Sequence, residues 1–324
     1  MVMVMTNIRF AYPWFSDFLN FRSASESLGS TYHCYFKALN KYCMDNYPDS
    51  SNLSQDIIDE WCKQRNTESD QTWKGRLSFV RTILIYGNSR GHINISLPEL
   101  PLVDKIHYKP HAFTENELFN LFYACDNVEI VCNRNSTKMR KIMMPVLFRL
   151  LYSTGMRPIE VVNLQRSDFD FETGVVSIKK SKGYNQRFIV LHDTMLELVK
   201  QYDVEIEKYY PSRTYFFPSK NNTNFRRSWV TENFKKLWFK YNTAYARAYD
   251  LRHNYAIKNI MSWTNAGIEF NSKILALSKS MGHSSVNETM YYFSIVPALY
   301  DKLEELTGKS FDELIPEVID DEDE

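Results

Sequence analysis

The sequence predicts a mainly α-helical chain of two domains, the second of which carries a small antiparallel β-sheet. Three observations predict it. Apolar side chains recur at spacings of three and four through most of the chain, the signature of amphipathic helices. That period dissolves between Gly87 and Lys109, where Gly91, Pro98 and Pro101 collect with Pro110 just beyond, as in a linker. Only Asp168–Leu191 alternates β-forming residues around turn signals. A length of 324 residues with 44% hydrophobic and 15% aromatic content fills two ordinary cores. The boundary is placed at residue 108: residues 1–108 form a helical domain ending in the linker, and residues 109–324 form the second domain, with a tail from 297 to 324.

In the first domain, Tyr32, Tyr35, Phe36, Leu39, Tyr42 and Cys43 share one face of a helix over 31–47, which Pro48-Asp49 ends. Ser54 can cap a second helix with Ile57, Ile58 and Trp61 facing inward. A third, Thr72–Tyr86, turns Trp73, Leu77, Val80 and Leu84 inward and Lys74, Arg76 and Arg81 outward. That basic side either meets a polyanion or is a solvated helix face. A bundle of four or five helices results. In the second domain, Thr114 with Glu117 three residues on is a capping box, and a helix spans Lys138–Ser153. Turns at Glu172-Thr173-Gly174 and Lys182-Gly183 divide Asp168–Leu191 into three antiparallel strands. Helices follow at about 194–209, 228–241, 250–263 and 273–282.

Composition excludes several classes. No run of roughly 18 apolar residues exists, and Met1–Met5 lacks a basic n-region followed by an apolar core, so a cytoplasmic, membrane-free protein is expected. Cys34, Cys43, Cys62, Cys125 and Cys132 contain no CxxC pair, which argues against a disulfide framework or a zinc site and for small apolar filler. The net charge of zero conceals an asymmetry. Residues 301–324 hold eleven acidic and two basic side chains, so residues 1–300 carry a net +9, compatible with binding phosphate.

Three segments carry chemistry. In LLYSTGMRPIEVVNL (Leu150–Leu164), Arg157 follows a Gly155 turn and precedes Pro158 at a helix start, with Glu160 one turn in. There a guanidinium fork can be aimed at an anion and fixed by Glu160, although from this segment alone an interfacial Arg–Glu pair is the better reading. The others are YDLRHNYA (Tyr249–Ala256) and MGHSSVNETMYYFSIV (Met281–Val296). Thr307-Gly308-Lys309-Ser310 imitates the end of a P-loop, but Leu303 stands where its first glycine is required. No ligand spacing accompanies His253 and His283, so no metal is assigned.

STGMRPIEV, SKGYNQRFIVL, DLRHNYA and MGHSSVNETMYY, in that order, resemble the tyrosine recombinase (phage integrase) family over roughly residues 110–296. The DLRHNYA and SKSMGH stretches are most similar to integrases of mobile elements in low-GC bacteria. The resemblance implies the two-domain architecture of that family: a helical core-binding domain that clamps DNA, then a mixed catalytic domain. It places the first catalytic arginine on Arg157, a helper acid on Glu160, the hairpin lysine on Lys182 and the second arginine on Arg252. His253 follows, Gly282-His283 supply the next motif, and the nucleophile nine residues later is Tyr292 rather than Tyr291. One position departs from the pattern: Tyr249 stands where the family usually has histidine. A phenol with a pKa of about 10 is a poor general base at neutral pH.

What the resemblance implies is site-specific recombination. Tyr292 attacks a phosphodiester while two arginine forks and His283 complement the developing charge, forming a 3′-phosphotyrosine. Lys182 protonates the leaving hydroxyl, and a DNA hydroxyl reverses the step with no metal, ATP or other cofactor. The implied partners are double-stranded DNA with a specific core site, four copies of the chain on two sites, and accessory directionality factors. The biological setting is integration or transposition of a mobile element. The tail, with Leu299, Leu303 and Leu306 on one face, docks on a neighbouring protomer or folds back on its own domain. Two alternatives stand beside this reading: a type IB topoisomerase-like nicking and rejoining enzyme, and a DNA-binding regulator impaired in catalysis by Tyr249.

Overall fold

The computed structural model describes residues 9–25, 29–103, 108, 110–129, 135–179, 186–263 and 270–295. The chain is mainly helical with one small antiparallel sheet, and it divides into two compact units between residues 107 and 108.

Among the described residues the first unit holds four helices: α1 (Trp14–Ala24), α2 (Ser30–Asn46), α3 (Gln55–Cys62) and α4 (Asp70–Ser89). The Ser54 and Ser69 hydroxyls each accept a backbone N–H three residues on, capping α3 and α4. Phe15, Phe18, Phe36 and Phe79 form an edge-to-face and stacked aromatic core joined by Ile57, Ile58 and Trp61. The sequence reading places no helix at α1, although its buried side chains, Trp14, Phe15, Phe18 and Leu19, stand at spacings of three and four. It also ends α4 too early. The helix runs through Gly87, where a β-carbon would lie 2.7 Å from the Ile93 side chain and 3.1 Å from Trp14. Gly87 there admits close packing rather than opening a linker.

A second correction concerns Arg76. It points inward and is 1% exposed. Its guanidinium forks onto Glu68 at 2.8 and 2.7 Å and donates to the carbonyls of Trp61 and Lys63. The Glu68 side chain is nearly as buried, at 6% exposure against 1%, and supplies the counter-charge that an arginine inside a helical bundle requires. Of the expected basic side, Lys74 and Arg81 remain half-buried at the surface, and Arg81 donates to the Pro98 carbonyl at 2.7 Å.

The second unit contains α5 (Glu115–Asp126), α6 (Asn135–Thr154), α7 (Pro158–Asn163), β1 (Val175–Ile178), β2 (Arg187–Val190), α8 (Asp193–Glu207), α9 (Arg227–Trp238), α10 (Asp250–Ser262), α11 (Phe270–Met281) and α12 (Val286–Ile295). The capping box at α5 is present in both directions between Thr114 and Glu117. Helix α6 is central: Met143, Met144, Leu147, Phe148, Leu150 and Leu151 are buried, and it packs on α5, α7, α8 and α10. The sheet pairs Val175 with Val190 through Ile178 with Arg187. It has two strands rather than three. The Asp170 carboxylate accepts the N–H groups of Glu172 and Thr173, folding the chain into a turn and leaving Phe169 a single bridge to Val176. Phe169 stacks instead on Phe216, centroids 4.0 Å apart.

Candidate active site

The turn from α6 to α7 is built for close approach. Gly155 takes φ +63°, and a β-carbon there would lie 2.4 Å from the Tyr255 ring. Its carbonyl accepts from Arg252 Nη1 at 2.7 Å. Arg157 caps α7 with Pro158 at the first helical position, where a missing N–H costs nothing. One oxygen of Glu160 reaches back to the Arg157 backbone N–H at 2.8 Å, and the other takes Arg157 Nη1 at 3.1 Å. The guanidinium fork then lies 3.5 and 3.4 Å from the carbonyl of Gly282.

Arg252, on α10, converges on the same turn. It is 1% exposed, and its Nη2 donates to the Met281 carbonyl at 2.9 Å. Two arginines almost a hundred residues apart are thus held on adjacent carbonyls at the end of α11. The start of α10 is itself anchored by Asp250, which is fully buried and accepts from Tyr108 Oη at 2.8 Å and the Arg247 N–H at 2.9 Å. Burial pushes the Asp250 carboxyl up, against those hydrogen bonds. Sequence reasoning gave neither Tyr108 nor Asp250 a role.

His283 follows Gly282, and its Nδ1 lies 2.7 Å from the Thr289 hydroxyl, which ties the turn to α12. The Tyr292 ring lies nearly parallel to that of His283, centroids 6.1 Å apart, and 5.6 Å from His253. Tyr249, half-buried at the cap of α10, has its ring 5.0 Å from that of His253. Of the neighbouring pair, Tyr292 is the one inside at 3% exposure, while Tyr291 is half-buried and donates to the Tyr108 carbonyl at 3.4 Å. Burial raises the Tyr292 phenol well above its ordinary 10. The charges of Arg252 and Arg157 act in the opposite sense, and Tyr249 and Tyr291 add to the rise.

The structure therefore brings Arg157, Glu160, Arg252, His253, His283, Tyr249 and Tyr292 together. Lys182 lies outside the described residues, as does Cys132. Lys74 and Arg81 belong to the first unit. One participant was missed: Arg187 on β2, 8% exposed, whose Nη1 and Nη2 donate to the two oxygens of Glu160 at 2.8 and 2.7 Å. A signal existed in the strand period, since an inward Ile189 forces Arg187 inward too, leaving Phe188 and Val190 outside. Burial pushes the Glu160 carboxyl up, but hydrogen bonds from Arg187 and the charges of Arg187, Arg252 and Arg157 prevail. The net shift is below the ordinary 4.5. Among the described residues no group of three or more His, Cys, Asp and Glu side chains could hold a metal, and no helix is long and apolar enough to cross a membrane.

The profile of the phage integrase family matches residues 111–297, more than half of the chain and the whole of this constellation. The chain belongs to that family, the tyrosine recombinases. It is 24% identical over 294 residues to a tyrosine recombinase of Thermosipho africanus, covering 87% of this chain and 93% of that one. A resolvase of Bacillus thuringiensis, named TnP I, is 30% identical over 145 residues, 44% of this chain and 46% of its own. A Sinorhizobium fredii protein, y4rE, provisionally named an integrase/recombinase, matches at 27% over 60% of its length. Several relatives thus extend well beyond the matched segment. The fold is shared with the integrase of transposon Tn1549 bound to a circular-intermediate DNA, at a TM-score of 0.60, 14% identity, and 91% and 100% of the two chains. It is also shared with the XerH recombinase in a post-cleavage complex with its difH substrate, at a TM-score of 0.58, 19% identity, and 86% and 78%.

Proposed function

We propose that this chain is a site-specific DNA strand transferase that cuts and rejoins duplex DNA through Tyr292. The observation that carries the reading is the convergence of Arg157 and Arg252 on the Met281–Gly282 carbonyls, immediately before His283, whose ring faces that of Tyr292. A scissile phosphate seated there faces two forks, each able to hold two oxygens, and replaces the carbonyls as their acceptor. Arg252 Nε supports this, since it is buried and has no hydrogen-bond partner among the described residues. As the Tyr292 oxygen attacks, charge accumulates on the equatorial phosphate oxygens, and the forks with His283 complement it. The P–O bond to the sugar breaks, leaving a 3′-phosphotyrosine, and the departing hydroxyl takes a proton from Lys182. The bond energy is retained in the phosphotyrosine, so the reverse attack by a DNA hydroxyl needs neither ATP nor a metal.

Tyr292 must lose its proton in a pocket that holds that proton tightly. His253 lies 5.6 Å from its ring and Tyr249 5.0 Å from that of His253, and with Tyr249 in place of histidine, proton removal falls to this pair. Specific duplex DNA, a tetramer on two sites and exchange of the tail between protomers complete the proposal. The fold shared with a transposon integrase, and the likeness, 28% over 188 residues, to a probable integrase/recombinase of Acholeplasma phage L2, favour the setting of a mobile element.

The test is a nicked suicide duplex built on the sequence that this chain selects from a random pool. Wild-type protein should form a covalent adduct that Tyr292→Phe abolishes while Tyr291→Phe retains it. Exchange between two duplexes then separates a recombinase from a topoisomerase-like enzyme. A wild-type chain that binds its selected site without forming an adduct refutes strand transfer and leaves the DNA-binding regulator.

A further inference from the structure

Arg187 is spent wholly on protein. Its Nε donates to the Ser280 carbonyl at 2.6 Å while Nη1 and Nη2 hold both oxygens of Glu160. Through Glu160 it reaches Arg157, whose backbone N–H and Nη1 rest on the same carboxylate. Through Ser280 it reaches the last turn of α11, whose carbonyls are the negative end of that helix and favour a cation. The next two carbonyls along, of Met281 and Gly282, accept from Arg252 and Arg157. Gly282 is shaped to this side chain: at φ +69° it carries no β-carbon, and one built there would lie 2.6 Å from Arg187 Nη1.

We propose that Arg187 is a positioning residue for strand transfer, which locks Glu160 to the Ser280–Gly282 turn and thereby fixes the spacing between Arg157, Arg252 and His283. The inference rests on the strand-transfer reading and adds to it a residue that does not touch the phosphate. A buried ion pair is a poor source of stability compared with apolar packing of the same volume, so its value lies in the geometry it imposes. It imposes that geometry on two elements, α7 and the end of α11, that must meet around one phosphate.

The experiment compares full-length wild type with Arg187→Gln and Arg187→Lys on the nicked suicide duplex, measuring duplex affinity and the single-turnover rate of adduct formation separately. Misplacing a catalytic group by about 1 Å costs on the order of 100-fold in rate. Arg187→Gln is expected to lower the rate by that order with duplex Kd within about threefold of wild type. Arg187→Lys, which keeps the charge but not the fork, should recover part of the loss. Adding Glu160→Gln to Arg187→Gln should slow the reaction little further, because both act through one carboxylate. A folded Arg187→Gln protein that cleaves within threefold of wild type overturns the proposal, as does an affinity loss that accounts for the rate. Should Arg187→Gln not fold, Arg187→Lys decides: a full rate in it, or failure of both to fold, assigns Arg187 to the fold instead. Absence of an adduct in wild type refutes the strand-transfer reading itself, and this inference falls with it.

Discussion

Alanine at Gly282 should destabilise the second unit far more than alanine at Gly174, although the two glycines have nearly the same backbone conformation, φ +69° and +73°. Left-handed backbone costs an L-residue roughly 1–2 kcal/mol at either position. At Gly174 the new β-carbon meets the Leu196 side chain at 3.3 Å and the Leu191 carbonyl oxygen at an ordinary contact distance of 3.5 Å, and a leucine tip can move by a few tenths of an ångström. At Gly282 it lies 2.6, 3.0 and 3.2 Å from Nη1, Cζ and Cδ of Arg187. That side chain cannot move without leaving Glu160 or Ser280. Stripping one partner from a buried pair costs about 3–5 kcal/mol, and partial relaxation retains some of it. The expected losses are therefore roughly 1–2 kcal/mol for Gly174→Ala and about 3–5 kcal/mol for Gly282→Ala. Urea denaturation checks this, fitted as two transitions because each unit has its own core. With an m-value of about 2–3 kcal/mol/M, the midpoints of the second unit should differ between the two variants by about 1 M. Equal midpoints would show that Arg187 is not wedged beneath Gly282, and the account of this turn would fail.

Glu160 is held below the ordinary 4.5 of a glutamate, so its share of stability is complete above that pH and is lost as pH falls through its lower folded value. Urea midpoints between pH 3 and 6 should show a shallower acid limb in Glu160→Gln than in wild type, and parallel limbs would refute the assignment. Tyr249→His places a group with an ordinary pKa near 6.5 where a phenol stands, and single-turnover cleavage at pH 7 should rise by roughly tenfold or more. An unchanged rate would show that proton removal does not pass through this position. Arg76→Ala strands the buried Glu68 carboxylate and should cost the first unit about 3–5 kcal/mol, read from its thermal or urea transition. Lys74→Ala, by contrast, should cost little stability and reduce the salt slope of duplex binding by about one. The roles of the two basic residues are reversed if Arg76→Ala lowers the slope instead.

Where local chemistry decides, the sequence was legible. The serine cap of α3 and the Thr114–Glu117 box are satisfied within three residues, so their outcome does not depend on the rest of the chain. Where partners lie far away, it was not. Arg76 reads as an outward charge, and a carboxylate 8 residues distant brings it inside, while the strand period that turns Arg187 inward does not reveal Glu160, 27 residues away, as its partner. Gly87 reads as a helix breaker until Ile93 and Trp14 are packed against it, and Asp170 hides a turn inside a β-like alternation. The site itself was legible only as four motifs in order. That Arg157 and Arg252 meet at adjacent carbonyls is a fact of packing with no trace in the spacing, and the strand period that turns Arg187 inward does not show the turn it braces.

That bracing bears on charge balance. Arg157, Arg187 and Arg252 bring three positive charges around one turn and Glu160 returns one negative, so the cluster carries a formal +2 with the histidines neutral. A phosphodiester alone brings −1. A phosphodiester under attack by the Tyr292 phenolate brings −2. Under the strand-transfer reading, the buried cluster is thus balanced by the transition state and not by bound substrate, which is the condition for lowering a barrier rather than merely tightening binding. The same excess lowers the cost of ionising Tyr292: Arg252 and Arg157 act against the burial that holds its proton. A carboxylate in place of any carbonyl at Gly155, Met281 or Gly282 would bind the arginines more tightly and spoil this balance. Neutral carbonyls orient the forks without neutralising them, and so leave them ready for a phosphate.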